Sequence, residues 1–266
     1  PGTIIIGDSE SRGTLIVTKG AQIVAEGSET DPIVFTSNKT TKKAGDWGGI
    51  IILGDAPINK FGLYTSVNYD DLDPAMTTYG GSNAESSSGV MKFVRVEYAG
   101  KKARGADNFD AILLGGIGNK TILENIMVSY AAGEAFEVLG GEPVMTKMVS
   151  YKCNGIDFKF TLGAQVKIDN SLAIRSSYIS NSSGSRCLDI SSYVKKEDVD
   201  FTKKQTSVTA TNLTLANDSE DIDADVKAGL IKEAVFVAEN TSLLLRKSVI
   251  SGFKPAVILD SKIDIV

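Results

Sequence analysis

The sequence has no histidine among its 266 residues. That removes Ser-His-Asp and Cys-His nucleophile systems in their usual form, together with most zinc sites. Cysteine is nearly absent: Cys153 and Cys187 stand 34 residues apart, about one and a half of the repeats described below. That spacing sets them on different sides of the fold, so no disulfide is expected and both read as small buried residues. No run of 18 or more apolar residues occurs, which leaves no transmembrane helix. With 28 basic against 33 acidic residues and no basic block, the chain lacks the clustered Lys and Arg of a nucleic-acid surface. The segment LLGGIGNKT (113–121) has glycines and a lysine but not the spacing of a phosphate loop, and its glycines read as turns.

What is present is a repeat. ILLGG, FEVLGG and FKFTLG return between residues 111 and 163, joined by runs ending IMVSY, KMVSY and SLAIR. MVSY at 127–130 recurs at 148–151, while Phe136 and Phe158 are 22 apart, so the period is 21 to 23 residues. A unit of that length cannot bury its own apolar face and must stack on neighbours. Each unit holds runs of β-branched or aromatic residues punctuated by Gly or Asn, without leucine-asparagine ladders or amphipathic helix pairs. The fold expected is an all-β, right-handed parallel β-helix, a single domain over residues 1–266. With 42% hydrophobic residues the core would be one long column.

Along the chain, TIIIG (3–7), TLIVTKGAQIVAEG (14–27) and PIVFTS (32–37) form the first coil. Residues 60–88 lack periodicity and read as a long lateral loop, 178–206 as an irregular lateral region, and 219–233 as a short amphipathic helix carrying Ile222, Val226 and Leu230 on one face. The chain opens on Pro rather than Met. An upstream segment is therefore expected, such as a signal peptide or an anchor.

Three motif stretches carry a resemblance: GDWGGIIILGDAPIN (45–59), YGGSNAESSSGVMKFVRVEYAG (79–100) and ILLGGIGNKTILENIMVSYAAGEAFEVLGG (112–141). In this order they resemble a family of secreted or surface-anchored β-helix proteins of gut-type and marine Gram-negative bacteria, over roughly residues 1–190. The resemblance implies export and a β-helix, and no particular activity. Where relatives carry an acid-rich run, this chain has GIDFKFTLG (155–163), with lysine and threonine among the expected aspartates.

Candidate chemistry lies on outward positions of the repeat. Alternation sets Ala111, Phe136, Phe158 and Ile190 in one inward stack, with Leu113, Val138 and Phe160 beside it. Asp110, Ala135, Asp157 and Asp189 then form an outward column, next to Ile112, Glu137, Lys159 and Ser191. Asp110, Glu137, Asp157 and Asp189 with Lys159 as a base would suit a polysaccharide lyase or a glycoside hydrolase. The plainer reading is that outward positions of any solenoid are polar, with Glu137 and Lys159 as a cross-strand ion pair. On this register Asp157→Asn and Asp189→Asn would leave folding intact.

Trp47, Tyr64, Tyr69 and Tyr79 are candidate sugar platforms, although a tryptophan is more often a packing residue. Asp70, Asp71 and Asp73 could offer oxygens to calcium, the one cofactor these residues suggest, but they lack an EF-hand glycine, and a solvated acidic loop is the plainer reading. The function expected first is a non-catalytic, adhesin-like secreted or outer-surface protein that binds polysaccharide, cell-surface glycan or host and neighbour surfaces. A lyase or hydrolase is the alternative, and a structural stalk the third.

Overall fold

The computed structural model describes residues 1–67, 69, 70, 72–104, 108–177, 179 and 186–263. It is a right-handed parallel β-helix, as the repeat predicts. One sheet of eight parallel strands, the front sheet, runs through Thr14–Val17, Gly49–Leu53, Ile112–Gly115, Phe136–Leu139, Phe158–Thr161, Leu188–Ile190, Val235–Val237 and Val257–Leu259. A second sheet of twelve strands wraps the rest of each coil. Its long strands, such as Ile122–Ser129 and Val144–Tyr151, bend midway, so every coil has three straight edges.

The bend recurs at one place per coil because one residue there takes a left-handed conformation. Phe93, Asn125, Lys147, Asn170, Asn212 and Lys247 have φ between 49° and 58° and follow one another up the stack. Asn suits the position, since its short amide tolerates a left-handed backbone and can bond locally. Asn212 Nδ2 donates to Asn170 Oδ1 at 3.1 Å. A second left-handed column follows the front sheet at Gly116, Gly140 and Leu162. The repeated GG is therefore a corner, and at Gly140 a Cβ would also lie 2.5 Å from Ile58 Cγ2.

Inside the column, Ile112, Phe136, Phe158 and Leu188 stack in register, as do Leu114, Val138, Phe160 and Ile190. Phe136 and Phe158 lie 5.3 Å apart with rings nearly parallel, an offset stack that adds to their burial. The pairing of Phe136 with Phe158 and of Glu137 with Lys159 is as the spacing predicts. Elsewhere the predicted register slips. Phe136 pairs with Ile112 rather than Ala111, and Phe158 with Leu188 rather than Ile190. Coil lengths differ on either side of the two phenylalanines: the first slip, of one residue, exchanges inward for outward, and the second, of two, keeps Ile190 inward. The MVSY repeat slips too: Met127 pairs with Val149, not Met148.

The predicted helix is shorter than 219–233, spanning Ile222–Lys227. Asp221 caps it, accepting from the Ala224 N–H, and Gly229 follows with φ of 73°. Ile222, Val226 and Leu230 are half-buried. Trp47 is a packing residue, 3% exposed, with Nε1 donating to the Glu97 carbonyl at 2.8 Å. Its indole fills the space beside Gly7, where a Cβ would meet the ring at 2.5 Å. It therefore offers no sugar platform.

The left-handed column yields a stability prediction. Lys147 is exposed and gains nothing from burial, so Lys147→Asn should raise unfolding free energy by about 1 kcal/mol, read from urea denaturation. Unchanged or lower stability would show that this corner carries no left-handed cost.

Candidate functional site

The outward row of the front sheet reads Ile51, Leu113, Glu137, Lys159, Asp189, Phe236 and Ile258. Its first part is apolar and needs a cover. Residues 60–79 supply it: Val67 and Tyr79 pack with Ile51, Leu53, Leu113 and Leu139, with Tyr69 and Leu72 against them. The expected lateral loop is thus folded onto the sheet. It includes a short antiparallel pair between Thr65–Ser66 and Thr78–Tyr79. The second lateral region forms the opposing wall, with a single helical turn at Lys196–Asp198. Lys60 bridges to Val199, and the Asn59 amide donates to the Ser192 carbonyl at 2.8 Å.

Between these walls lies a cleft of about 520 Å³, with Tyr69, Tyr79 and Thr65–Val67 on one side and Tyr193–Lys195 on the other. Its floor carries Asp110, Glu134, Glu137 and Lys159. Lys159 Nζ lies 2.8 Å from Glu137 Oε1 and 3.6 Å from Glu134 Oε1. The Tyr69 hydroxyl donates to Asp110 Oδ2 at 3.2 Å. Asp110 in turn hydrogen-bonds Glu137.

Burial and the neighbouring Glu137 and Glu134 raise the Asp110 carboxyl well above the usual carboxylate range. Glu137 is held below its usual range because the Lys159 ammonium and the Asp110 hydrogen bond outweigh its burial. The opposite shifts favour the proton on Asp110 over Glu137 within this hydrogen-bonded pair. Glu137 and Glu134 overcome burial at Lys159 and raise its pKa. A raised pKa favours the ammonium form of Lys159, the opposite of what the general base anticipated for it requires.

The structure divides the other predicted residues. Asp189 pairs with Lys159 in register and is held by Arg186 at 2.7 Å, and Arg186 also binds Glu233 and lies over the Phe236 ring. Asp157 is not outward. It occupies the buried corner column of Ala111, Ala135, Cys187 and Ala234, where a small residue fits. There Arg175, itself 1% exposed, lies 3.0 Å from Asp157 Oδ2. The same guanidinium donates to the carbonyls of Gly155, Arg186, Cys153 and Asn154, and the Ser150 hydroxyl donates to Asp157 Oδ1. Both cysteines are free and lie against this pair, correcting the expectation of opposite sides. Burial pushes the Cys153 thiol up to about 11.

Tyr79 lines the cleft but is 2% exposed. Tyr64 is exposed and stands apart from the cleft, with Lys19 Nζ 3.7 Å from its ring centre. Asp70 and Asp73 are solvated, and Asp73 Oδ1 accepts from the Ala75 N–H. Asp71 lies outside the described residues. Among the described residues no group of three metal-ligating side chains is placed to hold a cation. Tyr193, Asn108 and Glu134 are cleft residues that the sequence did not single out. Only Glu134 carried a signal, as an acid one coil beyond Asp110.

The pectate-lyase-like beta helix domain model matches residues 1–265. The chain belongs to that family. No curated protein and no solved structure matches it. Membership in the pectate-lyase-like family fits a surface or polysaccharide-related protein.

Two predictions come from this geometry. Asp157→Asn leaves a buried guanidinium without its counter-charge and should cost about 3–5 kcal/mol, measured by denaturant unfolding. A cost under about 1 kcal/mol would remove Asp157 from the interior. Asp110 binds a proton more tightly folded than unfolded, so its contribution to stability is full below its ordinary pKa of 3.8. It is lost as pH rises through the raised folded value. Asp110→Asn should therefore flatten the decline of the melting temperature as pH rises above about 4. Parallel curves for the two proteins would place that titration elsewhere.

Proposed function

We propose that the chain is a non-catalytic glycan-binding β-helix protein of the secreted or outer-surface compartment, and that the cleft over Glu137 and Lys159 is its binding site. The observation that carries this reading is the internal pairing of the cleft floor. Asp110 and Glu137 are hydrogen-bonded to each other, and Lys159 faces Glu137 and Glu134 at 2.8 and 3.6 Å. Such a floor offers directed donors and acceptors, flanked by Tyr69 and Tyr193, in a groove of the size that buries a small saccharide. Among the described residues the floor lacks a free base. The carboxylates that touch are hydrogen-bonded, closer than the roughly 5 Å or more that either glycosidase geometry requires. Family membership supports the polysaccharide class of ligand.

A hydrolytic reading rests on one feature: the Asp110 carboxyl is pushed up while that of the adjoining Glu137 is held down, the separation that a general acid beside a carboxylate requires. The two readings separate in one experiment. A panel of neutral and acidic polysaccharides is examined by affinity electrophoresis and for released reducing ends, with and without calcium. Retention without product is expected, and Glu137→Gln or Lys159→Met should weaken retention about ten-fold or more, the effect of losing a charged hydrogen bond. Product that disappears in Asp110→Asn would replace binding by hydrolysis. No retention and no product would leave the stalk as the reading.

A further inference from the structure

A second cleft, of about 480 Å³, opens at a different corner of the coil and is lined by Lys42, Lys43, Ala44, Tyr98, Tyr130 and Lys152. It lies where the bent sheet ends and the chain turns back toward the front sheet. Tyr98 and Tyr130 sit on successive coils in the left-handed conformation, with φ of 60° and 54°, and Lys152 follows with φ of 50°. The corner turns these side chains away from the apolar column. The two phenol rings stack 5.5 Å apart at 10° between planes, and Tyr151 meets Tyr130 edge-on. In the preceding coil the equivalent position is Ser37, whose hydroxyl is hydrogen-bonded to Asp46. The segment carrying Lys42 and Lys43 leaves the column just after it and reaches the cleft over Tyr98.

The charge here runs against that of the protein. The whole chain carries −5, yet three ammonium groups line this cleft. Lys152 is matched by Asp218 at 2.7 Å, and Lys42 donates to the Lys39 carbonyl, which satisfies a hydrogen bond but not a charge. Among the described residues, Lys42 and Lys43 thus leave uncompensated positive charge beside an aromatic stack, with the Asn154 amide also lining the cleft. Phenol rings offer apolar contact to a sugar ring and hydroxyls to its substituents, while lysines select an anion over a neutral hydroxyl.

We propose that this corner is a second binding site, specific for an anionic saccharide bearing sulfate or carboxylate groups. It is separate from the cleft over Glu137. Sugar against the tyrosines and anion against Lys42 and Lys43 are both required, so a bare anion binds poorly.

The test uses one polymer backbone in three forms: dextran, carboxymethyl dextran and dextran sulfate, with inorganic sulfate as the free anion. Binding is measured by calorimetry at low salt. At least one anionic polymer should bind ten-fold or more tightly than dextran. Lys42→Ala/Lys43→Ala should weaken that binding about ten-fold, and Tyr98→Leu should weaken it at unchanged salt dependence. Lys43→Glu serves as a surface charge reversal if the tyrosine variant fails to fold. The loss caused by the lysine pair should be the same in a Glu137→Gln background, which separates this site from the first cleft. The proposal is overturned if inorganic sulfate competes as well as the polymer per anionic group, if the lysine variants bind as the parent does, or if Glu137→Gln alone abolishes binding.

Discussion

Parallel strands that stack in register oblige every coil to turn at the same places, and the rest of this molecule depends on that constraint. A corner shared by all coils becomes a column, and a column tolerates only residues able to adopt its backbone. The Phe93 to Lys247 series is one such column, and Gly116, Gly140 and Leu162 form another. Corners also settle which side chains leave the core. Tyr98 and Tyr130 point outward because they occupy left-handed corner positions, not because a strand alternates. The inner corner before the front sheet imposes the opposite demand for small buried residues, and Ala111, Ala135, Cys187 and Ala234 meet it. Asp157 does not, and the interior accommodates it by supplying Arg175, Ser150 and four backbone carbonyls.

This division explains what was legible in the sequence. Strand content, the solenoid, the glycine corners and the pairing of Phe136 with Phe158 follow from local pattern and spacing. Register across coils of unequal length does not, because alternation holds within a strand and fails at a corner. MVSY misleads for that reason. The two copies are 21 residues apart, while the coils pair with an offset of 22, set by the matched span between the phenylalanines. Tyr130 therefore stacks on Tyr98, and Tyr151 meets it only by an edge. Arg175 was equally hidden. It ends the SLAIR run, and only the fold brings it to an aspartate 18 positions earlier.

The candidate site arises where the outward row of the front sheet changes character. Ile51 and Leu113 demand burial, so residues 60–79 fold over them. The next residues in the row, Glu137 and Lys159, stand at the edge of that cover. They are sheltered enough for neighbouring charges to act strongly and still open to a ligand. The same shelter raises the Asp110 carboxyl, which is hydrogen-bonded to Glu137. Glu137 and Lys159 could be read from the repeat as a pair. Their enclosure could not, because it depends on two segments without periodicity closing on each other through Asn59, Lys60 and Val199.

Enclosure and charge pairing together bear on what such a cleft can do. Catalysis by proton transfer needs a group whose charge or proton is poised to change as substrate reacts, with a pKa near the working pH. Lys159 is displaced in the wrong direction for a base, and Asp189 is engaged by Arg186, which also holds Glu233. The stabilising contacts that fix these groups are the ones a reaction would have to break. Recognition makes no such demand: a donor or acceptor held rigid by its partners loses less entropy when a hydroxyl of a glycan approaches. On the reading proposed above, the pairing that fixes these groups is pre-organisation for a glycan. At the tyrosine corner the balance is reversed, since among the described residues Lys42 and Lys43 form no ion pair, the nearby Asp46 carboxylate being engaged by Lys39.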